Sequence, residues 1–523
     1  MFYNSSNNFD YNECVSRGAC SISPTISTMQ EVMFILLRQI AYYLVKLKEY
    51  DIKKHDIEKS IISELALIDA AKDLSEAQIL DAFSMHYTEL VKTRKEYLKL
   101  CKENEKSCKD LKNLIKLSPK TSLSAILKRG DKEFINKSKS QSNRYLSEIL
   151  SAVLKSVCVN LINLQDMGCF CEDAANTIIE SLNLFNSNRV SAEKLTDYIK
   201  QLAKADKELL KLINESQNNN YGTIEEATVH YSTTPGKAIL VSGSNLADLK
   251  LVIEAVKDQD IDIYTNGNLL IAHAFPYFKN SKKLKGHFGS DVFSTILDFA
   301  TFPGAILLTK NESQNIEYLY RGRLFTTDDI APKGIVKIEN NNFKPLLESA
   351  KQAKGFAKGQ DRGSIKVGFD NNKLQSDLDK ILKAEKIFII GPSNLSTAQK
   401  AYFETFFENM PKNTAAISFA YDPKKENVLA INLGSDYAIL YNVLQIIFEK
   451  IPVDSDKLVF FLTKCDINSL SNIINLKNNG AKNIFLSDCP PMVINPAVLK
   501  SFSELFQVRR ISNAIDDLLE VNK

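Results

Sequence analysis

One stretch of this chain occurs twice. Gln30–Leu67 aligns with Ser147–Leu184 without a gap, at a constant offset of 117 residues. EVMFILLRQIAYYLVKL lies over EILSAVLKSVCVNLINL, and EKSIISELAL lies over ANTIIESLNL. Both copies place apolar residues at helical spacing. Each is followed by a breaker and a capped helix start: Ser75-Glu76 before ILDAFSMHYTELV, and Ser191-Ala192-Glu193 before KLTDYIKQLAKADKELL. Residues 29–215 are therefore expected to form two stacked helical bundles of about three helices each. Charged runs such as Lys92–Lys112 read as solvated helix faces. His86 falls within a predicted helix and reads as structural. Cys101, Cys108, Cys158, Cys169 and Cys171 read as core thiols; Cys169-Phe170-Cys171 is too tight for the usual metal pairs and has no second pair nearby.

Beyond residue 215 the pattern changes. Residues 216–234 read as a polar linker. KAILVSG (Lys237–Gly243) is a strand, NLADLKLVIEAVKDQ a helix and IDIYT the next strand, which is a βαβ unit with its parallel crossover. A second α/β unit starts at KIFIIGPSNLS (Lys386–Ser396), with further strands at AAISFA, VLAINLG, LVFFLT and NIFLS. The mixed segment Asn341–Gly368 is the expected boundary between the two. The loops VSGSN and IGPSN lack the further glycines of a dinucleotide fingerprint, and there is no P-loop lysine motif.

With 523 residues the chain is too long for one core. A net charge of +3 and 25% charged residues call for no nucleic-acid partner. No apolar run is read as reaching a membrane span; the longest candidate, Val32–Leu47, is interrupted by Arg38, Gln39 and Lys46. MFYNSSNNFDYNEC has neither a basic start nor an apolar segment, so no secretion signal is read. Nine cysteines without regular spacing suit a reducing cytoplasm.

The segment Thr265–Thr327 reads as the wall of a site. It holds His273 and His287, three turn-like glycines (Gly267, Gly286, Gly289) and the strand candidate AILLT (Ala305–Thr309) after Pro303-Gly304. Polar groups just past such a strand end sit where α/β folds usually keep their chemistry. The words YTNGNLLIAHAFP, GHFGSDVF and FPGAILLTKNE, with YGTIEEATV, KAILVSGSNLADL and GAKNIFLSDCPPMVINPAVLKSF, resemble the hybrid cluster protein family, also called prismane proteins or hydroxylamine reductases. The resemblance spans essentially the whole chain. It implies an α + α/β multidomain fold of the prismane and carbon monoxide dehydrogenase kind. The expected parts are an N-terminal Cys arm at 1–28, a degenerate cubane-binding segment; duplicated three-helix bundles at 29–220; and two Rossmann-like α/β domains at 235–370 and 371–523.

The family carries a [4Fe-4S] cubane and a hybrid iron–sulfur–oxygen cluster at which hydroxylamine or nitric oxide is reduced. Soft sulfur donors hold such clusters. By the resemblance, Tyr3 and Ser6 stand at the first two cubane positions, while Cys14 and Cys20 keep the last two. Those two cysteines read as free thiols, as a zinc-scavenging pair, or as half of a cubane shared across a homodimer. At the hybrid-cluster positions stand Ser244, Asn268, Glu312, Ser393, Tyr421, Asp436 and Thr463, with Lys464 and Cys465 closing the last motif. No family ligand is expected at its own position. The replacements read as a hydrogen-bonded polar plug; Glu312 and Asp436 with amide and hydroxyl oxygens would otherwise suit a hard cation. Lys464 beside Cys465 would otherwise make a reactive thiol.

The expectation is a catalytically inactive pseudoenzyme without a cofactor, working as a binding or structural protein. It would be cytoplasmic, monomeric or homodimeric, and off nucleic acid and membranes, with an unknown protein or an active relative as its partner. The alternative expectation is a residual redox enzyme of the hydroxylamine or nitric oxide reductase type with an altered metal site.

Overall fold

The computed structural model describes residues 24–69, 76–115, 122–132, 141–187, 189–289, 295–310, 322–328, 331, 334–392, 395–464, 467–487 and 496–521. Seven helices among these residues form the N-terminal part: α1 Pro24–Lys48, α2 His55–Asp69, α3 Glu76–Glu103, α4 Leu123–Lys132, α5 Gln141–Asp166, α6 Glu172–Leu184 and α7 Ala192–Tyr221. The starts of α5, α6 and α7 at 141, 172 and 192 follow those of α1, α2 and α3 at 24, 55 and 76. The central helices α1 and α5 are apolar nearly all round, with Val32–Leu37 and Ile149, Leu150, Val153, Leu154, Val157 and Leu161 buried. A helix of that composition needs apolar partners on every side. It finds them by interlocking. α1 packs on α3 and on α6, and α5 packs on α7 and on α2. The two sets therefore exchange their middle helices, where the sequence suggested two stacked bundles. Asn143–Asp166 is long and apolar enough to cross a membrane, contrary to the sequence reading, yet 78% of its most apolar window is buried inside the protein.

One buried polar group of this core sits between two carboxylates. His86 is fully buried, with Nδ1 2.7 Å from Glu89 Oε2 and Nε2 3.5 Å from Glu64 Oε2. Burial alone would lower its pKa, but the two carboxylates outweigh that and raise it to about 9. The core-thiol reading needs correcting. Cys101 and Cys158 are buried, but Cys108 and Cys171 are half-buried and Cys169 is exposed. Cys169 and Cys171 lie on the connection from α5 to α6, which turns through Gly168 at φ 83° and faces solvent.

The expected linker at 216–234 is not one. α7 runs on to Tyr221, capped by Ser191 at its start, where Lys194 N donates to Ser191 Oγ over 3.2 Å. Ala227–His230 forms strand β1, whose buried and exposed residues alternate as a half-buried strand requires. It pairs antiparallel with β8, Ser364–Val367, taken from the segment read as a domain boundary.

Two six-stranded parallel sheets follow. The first comprises β2 Lys237–Ser242, β3 Ile261–Asn266, β4 Leu284–His287, β5 Ala305–Leu308, β6 Leu324–Thr326 and β7 Val336–Lys337, in the order β4-β3-β2-β5-β6-β7. The second comprises β9 Lys386–Gly391, β10 Thr414–Ser418, β11 Val428–Ala430, β12 Leu458–Leu462, β13 Asn483–Leu486 and β14 Arg509–Arg510, in the order β11-β10-β9-β12-β13-β14. Both are doubly wound 3-2-1-4-5-6 orders, so each has a crevice beyond the carboxyl ends of its first and fourth strands. Gly286, read as a turn residue, is instead inside β4. A Cβ there would lie 2.3 Å from His230 O, so its glycine is required by the close approach of β1.

Candidate functional site

The first crevice lies between β2 and β5. Thr309, fully buried, donates its backbone N–H to Ser242 O over 2.9 Å. Its Oγ1 accepts from Ser244 N at 3.1 Å and Asn245 N at 3.3 Å. Asn245 caps the helix α8, Leu246–Val256, by accepting from Asp248 N at 3.1 Å. From the helical part, Asp166 at the end of α5 reaches into the crevice. Its Oδ1 takes Lys310 Nζ at 2.8 Å and its Oδ2 takes Asn245 Nδ2 at 3.1 Å. Asp248 Oδ2 accepts from Lys310 N at 2.9 Å and Thr327 Oγ1 at 2.6 Å. Burial pushes the Asp248 carboxyl up to about 6, against those two hydrogen bonds and with the help of the nearby Asp166 charge.

Next to this, the chain leaves β3 through Asn266-Gly267-Asn268. Asn266 is buried; its Oδ1 accepts from Ser242 Oγ at 2.8 Å and its Nδ2 donates to Phe288 O at 2.7 Å and to Asp298 Oδ2 at 3.2 Å. Gly267 adopts φ 67°, which lets the 3-10 turn Gly267–Ala274 start and Leu269 N reach Gly243 O at 2.9 Å. The second α/β domain arrives here: a Cβ on Gly434 would stand 3.5 Å from Asn268 O. Two residues on, Asp436 caps the helix Tyr437–Lys450. Its Oδ1 accepts from Ala438 N and Ile439 N, both at 2.9 Å, and its Oδ2 accepts from Gln217 Nε2 of α7 at 2.8 Å. Burial pushes this carboxyl up, against those three hydrogen bonds.

Of the positions singled out from the sequence, the structure thus draws Ser244, Asn268 and Asp436 to one junction of all three parts of the chain. Thr463, buried, lies at the second crevice. Its N–H donates to Gly391 O over 3.1 Å, its Oγ1 donates to Pro392 O, and its carbonyl accepts from Gln399 Nε2 at 2.6 Å. Tyr421 is placed elsewhere. Its ring centroid is 6.1 Å from that of Phe407 on the helix Thr397–Asn409, and its N–H meets Ser418 Oγ at 3.1 Å. Tyr3, Ser6, Cys14, Cys20, Glu312, Ser393 and Cys465 lie outside the described residues.

His273 and His287 share one hydroxyl, Thr265 Oγ1, at 2.8 and 2.9 Å. That hydroxyl has one proton, so it donates to one ring and accepts from the other. Burial lowers His273 to about 3, with His287 beside it adding to the effect, and lowers His287 to about 4. Both rings are neutral at physiological pH and serve as buried hydrogen-bonding groups.

The second crevice differs from the first. Gly391-Pro392, a cis peptide, and Leu462 border a cavity of about 250 Å³, lined by Ile389, Phe419, Leu440, Phe460 and Tyr437. Lys207 of α7 and Asn475 stand at its helical side, and Asn475 Nδ2 donates to Ala203 O over 2.6 Å.

An iron–sulfur cluster needs thiolate donors. At the described positions stand a serine, an asparagine, a tyrosine, a threonine and an aspartate whose two oxygens are already engaged. This donor set does not fit such a cluster. Among the described residues no group of three or more His, Cys, Asp or Glu is placed to hold a metal ion. Reasoning from sequence missed Asp166, Asp248, Thr309 and Lys310. The signal was present for two of them: Asn245-x-x-Asp248 is a helix start, and Thr309 ends the recognised strand.

Residues 10–420 match the sequence model of the Prismane/CO dehydrogenase family. A hydroxylamine reductase of Thermodesulfovibrio yellowstonii is 25% identical over 538 aligned residues, covering 98% of each chain. Another, from Solidesulfovibrio magneticus, is 28% identical over 329 residues, covering 59% of this chain and 61% of its own. Among solved structures, a chain of acetyl-CoA synthase/carbon monoxide dehydrogenase aligns with a TM-score of 0.47 and 12% identity, over 96% of this chain and 82% of that one.

Proposed function

From the premise that this chain belongs to the Prismane/CO dehydrogenase family, we propose that it is a hydroxylamine reductase homologue that has kept the scaffold and given up the cluster ligands. In this reading it is a pseudoenzyme acting as a binding or structural protein in the cytoplasm, built from an internally duplicated helical half and two Rossmann-like domains. One observation carries the reading. Asp436, the one carboxylate described at an expected ligand position, has both oxygens committed to the fold, to Ala438 N, Ile439 N and Gln217 Nε2. A ligand has to offer a lone pair to the metal. This group offers its lone pairs to a helix N-terminus and to the helical half, as a structural cap does. The bridging of the first crevice by Asp166, Lys310 and Asn245 supports the same reading, since it places protein hydrogen bonds at the switch point.

The reading is tested by anaerobic assay of the full-length protein for hydroxylamine reduction with a chemical electron donor, beside an active hydroxylamine reductase prepared identically. The expected result is no turnover above the protein-free rate. Turnover that rises with added iron and sulfide, and falls on their removal, overturns it.

A further inference from the structure

Away from the crevices, at the carboxyl end of α3, two thiols stand on the two arms of a tight fold-back of the chain. Cys101 sits in the last turn of the helix and is 1% exposed. The chain then reverses: Asn104 N donates to Leu100 O, Glu105 takes φ 51°, and Lys106 N donates to Cys101 O over 2.9 Å. This brings Cys108, half-buried in an otherwise exposed stretch, back alongside Cys101, and Lys109 N donates to Tyr97 Oη over 3.2 Å one turn before Cys101. One phenol reaches the Cys101 sulfur as well. Tyr50 Oη donates to Cys101 Sγ over 3.8 Å. Lys106 Nζ lies 4.9 Å from the Tyr50 ring centroid, adding a cation beside the cluster.

We propose that Cys101 and Cys108 form a dithiol site that is oxidised to an intramolecular disulfide by small-molecule disulfides. The arrangement supplies what thiol–disulfide exchange needs: an accessible thiol at Cys108, and a second, buried thiol at Cys101 on the other arm of the same fold-back to resolve it. Burial works against a Cys101 thiolate, but hydrogen bonds from Cys108, Tyr97 and Tyr50 outweigh it and lower the pKa, while the bond to Cys101 raises that of Cys108. Cys108 passes its proton to the Cys101 thiolate and, now a thiolate itself, attacks one sulfur of the external disulfide. That disulfide's S–S bond breaks and one thiolate leaves. The Cys101 sulfur then attacks Cys108 Sγ, the mixed disulfide breaks, and the second thiolate leaves. The pair's one proton ends on one expelled thiolate, and the proton that Cys101 had released to solvent goes to the other. The cysteine pair loses two electrons and the external disulfide gains them.

The product would fasten the segment after α3 to the end of that helix. The same segment already holds α1: Tyr42 Oη donates to Lys109 O over 2.6 Å, and Asp110 accepts from Tyr43 Oη and, at 2.6 Å, from Arg94 Nη2. Oxidation therefore tightens a contact between α1 and α3.

The test incubates the reduced full-length protein with oxidised glutathione, blocks free thiols, and maps tryptic peptides by mass spectrometry. The expected result is a Cys101 peptide joined to a Cys108 peptide, with no glutathione retained on either. Cys101→Ser should retain glutathione at Cys108, and Cys108→Ser, altered at the surface and so safe for folding, should leave Cys101 unmodified over the same time. Wild-type protein that retains glutathione at Cys108 without the link, joins either cysteine to a different one, or leaves both unreacted overturns the proposal.

Discussion

The two sheets of the α/β half have the same strand order, and each opens its crevice between its first and fourth strands. They are finished in opposite ways. Past β2 and β5 the gap is bridged by polar groups: Thr309 takes two backbone N–H groups, and Asp166 reaches in from α5 to hold Lys310 and Asn245. Past β9 and β12 the gap is bordered by Ile389, Phe419, Leu440 and Phe460, and a cavity of about 250 Å³ remains. Topology fixes where a crevice is; side chains decide whether it is sealed. A polar seal must satisfy every buried donor and acceptor, because each one left without a partner costs about 1–3 kcal/mol. An apolar wall has no such requirement and tolerates a void.

The junction between the two crevices should be the most sensitive point. Asp436→Ala removes a helix cap with two acceptor bonds and strands Gln217. It is expected to lower stability by roughly 3 kcal/mol in urea unfolding. Asp436→Asn, which can still cap, should lose about half as much. Equal losses in the two variants would break the assignment of this residue as a cap.

The polar seal should also titrate. Asp248 has a folded-state pKa of about 6, above that of an ordinary carboxylate. Between that ordinary value and about 6 the folded state binds more protons than the unfolded one. Stability from this group is therefore greatest at acidic pH and is lost as pH rises to about 6, by up to roughly 3 kcal/mol. Asp248→Asn keeps an acceptor for Lys310 N and Thr327 Oγ1 but cannot ionise. In denaturation across pH 4–7, its stability should lack that descending component. A variant with the wild-type slope would show that another group is responsible.

Two substitutions compare the crevices, one deleting a polar atom and one adding apolar volume. Thr309→Val deletes the oxygen that serves Ser244 N and Asn245 N, and should destabilise by about 2 kcal/mol. In the second crevice, Leu444→Phe adds volume toward an existing cavity. Thermal unfolding should place it within about 1 kcal/mol of wild type. If the two changes had similar effects, the contrast between a sealed and an open crevice would fail.

Much of this architecture was legible in the sequence. KAILVS, IDIYT and LVFFL are short apolar runs between turn signals, and all are strands. The helices of residues 24–221 carry their period openly. The strands β1 and β8 were not legible, because four-residue strands with alternating exposure look like polar linkers until their partner is known. Gly286 was misread because glycine marks turns and close backbone approach alike. At the site, Ser244, Asn268 and Asp436 could be placed because each follows a recognisable strand in a motif the family shares. Asp166 could not: it belongs to a helix end 79 residues before its partner Asn245. Nothing local distinguishes it from a solvated carboxylate. Tyr421 follows its strand as expected, but the aromatic cluster around Phe407 holds its side chain, a tertiary preference that spacing does not reveal.

The central claim is that this scaffold no longer holds a cluster. It is tested most directly by measuring iron and acid-labile sulfide per chain, with the visible spectrum, on full-length protein purified anaerobically from an iron-replete host. The account predicts a colourless protein with far less than one iron per chain. A brown protein with several irons and matching sulfide per chain, lost together on chelation, would contradict it.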